Sequence, residues 1–396
     1  MTRGNLEGLM NTVREIAARE ENKRKDWLWA PESTDAKDHW RGTPRPYGEI
    51  HAAPFTVEPE FPLWAKIIGF DMVDFYTNPD CYLENTLRIA IYRYQHFKEC
   101  TPAGKTIGIW LGATLESTLF GARTIYRSDA SPWLDRAPAI RDEKDLAATP
   151  MPDFCRSGLM PLAHRYYERI RELLDDDFSV TFPEWGRSPF GVAFHLRLIE
   201  NLAVDMLENP GFVHRLMRFI TDARKQWWQD RSKFLGNPLE PANLYNDEVN
   251  CPTLSPAMYE EFVLPYEQEL SEFHGGIGYW HSCGDTTKLL ELIDRIPNLS
   301  MFHVGPWTTL SRVVEVFGER HPLEICLNPV ADVQMASADQ MRARLRDIKE
   351  TCGPIAYTVR ADGLQDLHGT QHEVAQVRQW IDVARDVLLE GARRPV

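Results

Sequence analysis

Long apolar runs are missing from this sequence: none approaches the roughly 18 consecutive residues a membrane-spanning helix needs, so no membrane segment is expected. Positive charge is scarce as well. Lys and Arg total 44 against 58 Asp and Glu, a net charge of -14, and such a surface repels nucleic acid and anionic membranes, leaving small molecules and proteins as the expected partners. A disulfide framework is absent. The seven cysteines (81, 100, 155, 251, 283, 326 and 352) are odd in number and scattered, which predicts reduced thiols, some buried as small apolar groups and some available as ligands. The first residues, "MTRGNLEGLMNTVREIAAREENKRKDW", carry no apolar core and no small-residue cleavage site, so a cytoplasmic protein is expected. Nucleotide-binding GxGxxG and Walker loops, low-complexity stretches and clear repeats are also lacking.

What is present is enough apolar material, 43% of residues with 11% aromatic, to bury a sizeable core. Residues 1–60 read as an N-terminal helix followed by an irregular, proline-bearing arm. From about residue 61 to 396 short apolar runs alternate with longer amphipathic segments, the mark of βα units around a parallel sheet. The strand candidates are 106–112, 178–185, 242–249, 276–283, 299–305, 323–329 and 355–363. Ser255 with Pro256 reads as a helix N-cap and first residue, and Pro265 is expected to divide that helix. Asp285 is expected to begin a helix through "TTKLLELIDRI". Ser337 and Gln340 form a capping box before a helix that stops at Gly353 and Pro354. Four strand-helix units in the last 155 or so residues predict an α/β fold, a closed (β/α)8 TIM barrel with the N-terminal extension laid on it.

Each strand candidate of the second half ends in polar residues: Asn246, Asp247 and Glu248; His281 and Cys283; His303; Asn328; Arg360 and Asp362. In a parallel barrel these ends converge on one mouth, where chemistry takes place. Residues two apart on a strand share a face, so His281 and Cys283 can turn toward one zinc ion, while packing as a buried thiol and a satisfied histidine remains the plain alternative. Asp247 and Glu248 are the catalytic candidates: either could supply a ligand, orient His281 or protonate a leaving group, against a reading as solvated helix-entry residues. Cys326 is a reserve ligand, more readily explained by packing, and Cys251 reads as structural. His303, Asn328 and Arg360 are candidates to bind a substrate carboxylate or hydroxyl. Trp110, Phe182, Trp185, Tyr245, Tyr279, Trp280 and Trp307 lie at or beside strand ends. Most barrel aromatics are core, but Trp185, Tyr245, Trp280 and the polar Asn246 are carried forward as substrate-binding candidates.

The segment "NDEVNCPTLSPAMYEEFVLPYEQEL" followed by "GYWHSCGDTTKLLELI" resembles the uroporphyrinogen decarboxylase superfamily, in which an "SP..y.ef..P" helix precedes a strand ending in "H.CG". It is most similar to the branch of zinc- and cobalamin-dependent methyltransferases. The likeness extends over about residues 60 to 390 in element order and is specific from 240 to 295. It implies a (β/α)8 barrel with zinc at its mouth and a methyl group passed to or from a corrinoid. The arginine-rich opening segment of the decarboxylases is not found in residues 28 to 75, which disfavours porphyrinogen decarboxylation. The branch places a third ligand, a cysteine, on its last strand; here "TVRADGL" puts Asp362 in that place, 79 positions after Cys283. The implied metal set is then His281, Cys283 and Asp362.

An N/S/O ligand set leaves zinc a harder Lewis acid than a thiolate-rich one, which suits polarising a methyl ether oxygen. The leading expectation is therefore a methyltransferase that demethylates a small methylated, preferably methoxylated, substrate in favour of a corrinoid protein. The corrinoid must come from that partner, since no "D.H..G" segment is present. The alternatives are a decarboxylase or other lyase on the same barrel, and a silent barrel that binds a corrinoid or partner protein. A homodimer is admissible.

Overall fold

The computed structural model describes residues 3–30 and 42–392; positions 31–41 of the expected N-terminal arm lie outside the described residues. All seven strand candidates are strands, each shorter than its apolar run, and three further strands precede or interrupt them. In chain order they are β1 (Phe55–Pro59), β2 (Thr106–Gly108), β3 (Thr124–Ile125), β4 (Trp133–Leu134), β5 (Ser179–Thr181), β6 (Ala242–Tyr245), β7 (Ile277–His281), β8 (Leu299–Val304), β9 (Leu323–Cys326) and β10 (Tyr357–Leu364). β1, β10, β9, β8, β7 and β6 form, in that order, a curled parallel sheet, with β2 and β5 as a separate parallel pair and β3 and β4 as a small hairpin.

Two expectations change. A closed ladder of eight strands is not what forms: among the described residues no ladder joins the β2–β5 pair to the six-stranded sheet, and the chain flanking the pair meets the sheet through isolated bonds, Cys100 N to Phe55 O at 3.1 Å on one side and, around the Arg187–Tyr245 bridge, Tyr245 N to Gly186 O at 2.9 Å and Ser188 N to Tyr245 O at 3.1 Å on the other. These strands are three residues long, too short to carry a full ladder to their neighbours. The arm through residue 60, expected to be irregular after its helix, also contributes a strand. β1 lies within the arm and pairs with β10, Phe55 opposite Val359 and Thr56 opposite Arg360, so the sheet begins at residue 55.

Strand alternation separates the two faces. On the convex face Trp280 stacks on Phe302, ring centroids 5.3 Å apart, and Phe302 on Phe317 of helix Leu310–Phe317. Phe55 meets Trp380 of helix Thr370–Leu388 edge to face at 5.8 Å. These contacts belong to one continuous apolar core between sheet and helices. The concave face is polar: Tyr279, His281, His303, Glu324 and Arg360 alternate with those apolar positions.

The helix signals act as their chemistry dictates. Ser255 Oγ accepts from Met258 N, Pro256 opens helix Pro256–Phe262, and the chain restarts as helix Leu264–His274 with Pro265 in its first turn. The capping box of Ser337 and Gln340 closes in both directions. Asp285 differs. Its carboxylate accepts from the Thr287 amide and hydroxyl, a local turn that competes with the helix, and only Leu290–Ile293 is helical there.

Candidate metal and catalytic site

β6 and β7 run side by side, Tyr245 opposite His281, so the residues just beyond their C-terminal ends meet. His281 Nε2 lies 3.0 Å from Asp247 Oδ1 and 3.2 Å from Cys283 Sγ, and one ligand atom from each of the three falls within 4.8 Å of the others. Glycines allow this approach. A Cβ at Gly284, directly after the thiol, would meet Asn250 Cβ at 2.3 Å, and one at Gly305 would meet the backbone oxygens of Ser282 and Gly284 at 2.7 Å. Only bare backbone lets the Cys283 turn settle between the Asp247 loop and the end of β8.

The imidazole of His281 is oriented from behind. Tyr279 Oη donates to Glu324 Oε2 and stands 3.2 Å from His281 Nδ1. Its single proton is used toward Glu324, so the phenol oxygen accepts from Nδ1–H, and the Nε2 lone pair faces Asp247 and Cys283. Three lone-pair atoms thus converge, an arrangement that needs a proton or a cation among them. Glu324 is held in turn by Arg360, 3.4 Å away, and Arg360 by Asp362 at 3.2 Å.

The charges agree with this picture. Burial pushes the Cys283 thiol well above its ordinary pKa, and Asp247, Cys326 and Asp362 push it further, so it stays protonated unless a cation balances it. Burial also acts to raise Asp247, but with the shared proton on His281 Nε2 the charge and hydrogen bond of that imidazolium, together with Arg187, outweigh it and hold the carboxyl below the usual range. His303 is fully buried, its ring centroid 4.0 Å from that of His281. Burial, His281 and Arg360 keep it neutral. Its Nδ1 donates to Ser282 O at 3.0 Å, and its Nε2 has no hydrogen-bond partner among the described residues.

A buried polar wall supports Asp247 from the other side. Arg187 reaches Glu248 directly and Asp247 Oδ2 at 3.9 Å; burial opposes its charge, but Glu248, Asp247 and Glu116 raise its pKa on balance. The Gly186 and Arg187 amides donate to Glu116 Oε1, both at 3.1 Å, and His195 Nε2 lies 3.0 Å from Glu248 Oε1.

Several expected site residues stand elsewhere. Asp362 is outside the converging group, whose third member is Asp247: the Asp362 carboxylate pairs with Arg360 and accepts from Gly363 N. Trp185, Asn246 and Trp280 do not line the mouth. Trp185 and Trp280 are fully buried, their indole N–H groups donating to Arg187 O and Glu267, and Asn246 donates to Glu267 on the convex side. Asn328 caps the turn that follows β9, its Oδ1 accepting from Val330 and Ala331 N. Cys326 is buried on the concave face, close enough to influence Cys283. Tyr245, His303 and Arg360 do face the site, Tyr245 with its ring centroid 5.6 Å from that of His281. Glu248 lies behind Asp247, engaged by Arg187 and His195.

Glu116, Arg187, His195 and Glu324 were missed. The i, i+2 spacing of Tyr279 and His281 carried a usable signal for one of the support residues, but the partners of the others come from distant chain segments.

A second group, His368, His372 and Glu373, is brought together after β10. Glu373 Oε1 already accepts from Leu367 N, His368 N and His368 Nδ1, so this carboxylate anchors the loop. A concavity of about 470 Å³ bordered by Tyr47, His51, Arg346 and Lys349 lies by the N-terminal end of β10, away from the strand ends that carry the site.

No helix among the described residues is long and apolar enough to cross a membrane. No curated protein matches the sequence. Among solved structures, a methyltransferase from Methanosarcina mazei is similar over 85% of this chain and 94% of its own, with a TM-score of 0.62 and 14% identity, a likeness of fold. The family model for uroporphyrinogen decarboxylase (URO-D) matches residues 65–354, more than half of the chain, and the protein therefore belongs to the URO-D family.

Proposed function

We propose that this protein is a methyltransferase that takes a methyl group from a small methylated compound, a methoxylated one by preference, and hands it to a corrinoid carried by a separate protein, using zinc held by His281, Cys283 and Asp247. The observation that carries the reading is the convergence of these three ligand atoms at 3.0 and 3.2 Å with the His281 lone pair turned toward the other two. Tetrahedral zinc with ligands about 2.0–2.3 Å away separates its donors by roughly 3.3–3.8 Å, close to what is found. The fold shared with the M. mazei methyltransferase supports the same reading.

Bound there, zinc would supply Lewis acidity to the ether oxygen and stabilise the charge that develops as the methyl leaves. The chain's own groups do the rest. Tyr279 and Glu324 hold His281 in the required tautomer. Arg187, 3.9 Å from Asp247 Oδ2, adds to His281 in favouring the ionised carboxylate. His303 presents a neutral, unpartnered Nε2 beside the group, an acceptor for a hydroxyl on the substrate. The arginines nearest the site, Arg187 and Arg360, are each neutralised by carboxylates, which argues against the polycarboxylate substrate of a decarboxylase.

Metal analysis of untagged protein is the direct test. The parent is expected to carry about one zinc per chain and Cys283→Ser none, with Cys283→Ser still folded. The parent is then expected to demethylate methyl ethers with free cob(I)alamin as acceptor. Metal-free parent protein that regains nothing on zinc addition would sink the proposal.

A further inference from the structure

The two helices that carry the "SPAMYEEFVLPYEQEL" motif contribute no atom to the converging group, yet the second holds a carboxylate that the site's chemistry does not use. Glu267, on helix Leu264–His274, is completely buried behind the sheet. It accepts from Asn246 Nδ2 at 2.7 Å, from Trp280 Nε1 at 3.2 Å and from Tyr259 Oη at 2.6 Å, Tyr259 being on the preceding helix of the same motif.

Two of those donors immediately precede proposed ligands: Asn246 comes before Asp247 just beyond the end of β6, and Trp280 before His281 on β7. The two strand ends are also joined directly, Asn246 N donating to His281 O at 2.7 Å. Because alternate strand residues point to opposite faces, fixing Trp280 on the convex side fixes where His281 projects on the concave side, and fixing Asn246 anchors the turn that carries Asp247. A single buried acceptor that binds both strands therefore sets their separation. We infer that Glu267 is a positioning residue for the metal group: it clamps β6 to β7 and holds the Asp247 and His281 ligand atoms at binding distance. This rests on the zinc reading of those residues.

The cost of the arrangement supports a specific role. Burial raises the Glu267 carboxyl to about 7 even though Tyr259, Trp280, Asn246 and Arg224 all favour its charge. A leucine there would pack without that desolvation, and burying polar groups is retained where geometry must be specified.

The test compares zinc dissociation constants, measured by chelator competition, with the unfolding midpoints of the metal-free proteins. Glu267→Gln keeps the shape but turns a pure acceptor into a group with its own N–H donors facing donors. It is expected to weaken zinc by about tenfold or more, the size found when groups behind metal ligands are altered. Tyr259→Phe removes one donor to Glu267 far from the ligands and is expected to weaken zinc less, in the same direction. Ile348→Val, a core change in helix Ala338–Cys352, serves as the stability control and is expected to leave zinc affinity unchanged. Equal zinc affinity in the parent and both motif variants, whatever their unfolding midpoints, would overturn the inference. So would a loss of affinity that Ile348→Val reproduces at the same loss of stability. A parent that binds no zinc would overturn the metal reading and this inference with it, whereas a zinc-binding parent with an unaffected Glu267→Gln would overturn the inference alone.

Discussion

Asp247 and Asp362 are both carboxylates at strand ends, and only their neighbours tell them apart. Counting along the sequence places Asp362 on the correct strand and face, but it cannot reveal that Arg360, two residues earlier on that face, takes up its charge at 3.2 Å. Asp247 was legible as a candidate ligand, orienter or acid, and its 3.0 Å approach to His281 is what the zinc proposal builds on. Asp247→Ala should therefore abolish zinc binding at micromolar metal, while Asp362→Ala should retain it and lose stability, because Arg360 is then left buried with one carboxylate instead of two. Measuring metal content and unfolding midpoint for both variants decides the matter. Zinc retained in Asp247→Ala and lost in Asp362→Ala would restore the ligand set read from the sequence.

At the scale of elements, the seven strands recognised in advance are those whose apolar runs are bounded by turn residues. β1 escaped because "FTVEP" is short, carries Glu58 and Pro59, and sits in a polar, proline-bearing stretch; only its pairing with β10 makes it a strand. Glu116 and Arg187 escaped for a related reason, since their meeting joins the short helix Leu115–Thr118 to a loop 71 positions away. The turn after β8 is the opposite case, where one residue type is decisive. Gly305 lies against the backbone of the Cys283 turn, and a methyl group there cannot be relieved by a side-chain rotation. Gly305→Ala is expected to cost about 1–3 kcal/mol of stability and to weaken zinc by about tenfold or more as Cys283 is displaced. Gly104→Ala, which has open space for the added carbon, is the matched control and should do neither. Unchanged zinc affinity in Gly305→Ala would mean that the Cys283 turn is free to move without consequence.

Over the whole molecule the sheet is unevenly knit. β7, β8, β9 and β10 each have two partner strands, while β2 and β5 share three residue pairs with one another and their flanking segments meet the rest through isolated bonds. Local opening follows the number of bonds and packed contacts that must be broken, so this pair forms the weakest part of the ring. Amides of Thr106–Gly108 and Ser179–Thr181 are expected to exchange with deuterium about tenfold or more faster than those of Leu299–Val304 and Tyr357–Leu364. Zinc distinguishes the parts further. An ion bridging Asp247 to His281 and Cys283 binds only while β6 and β7 are closed, so adding it should slow exchange in those two strands by mass action and leave the β2–β5 pair nearly unchanged. Equal slowing across all the strands would mean that the sheet opens as one unit, and that the seam beside Arg187 is as tight as the ladder that carries the ligands.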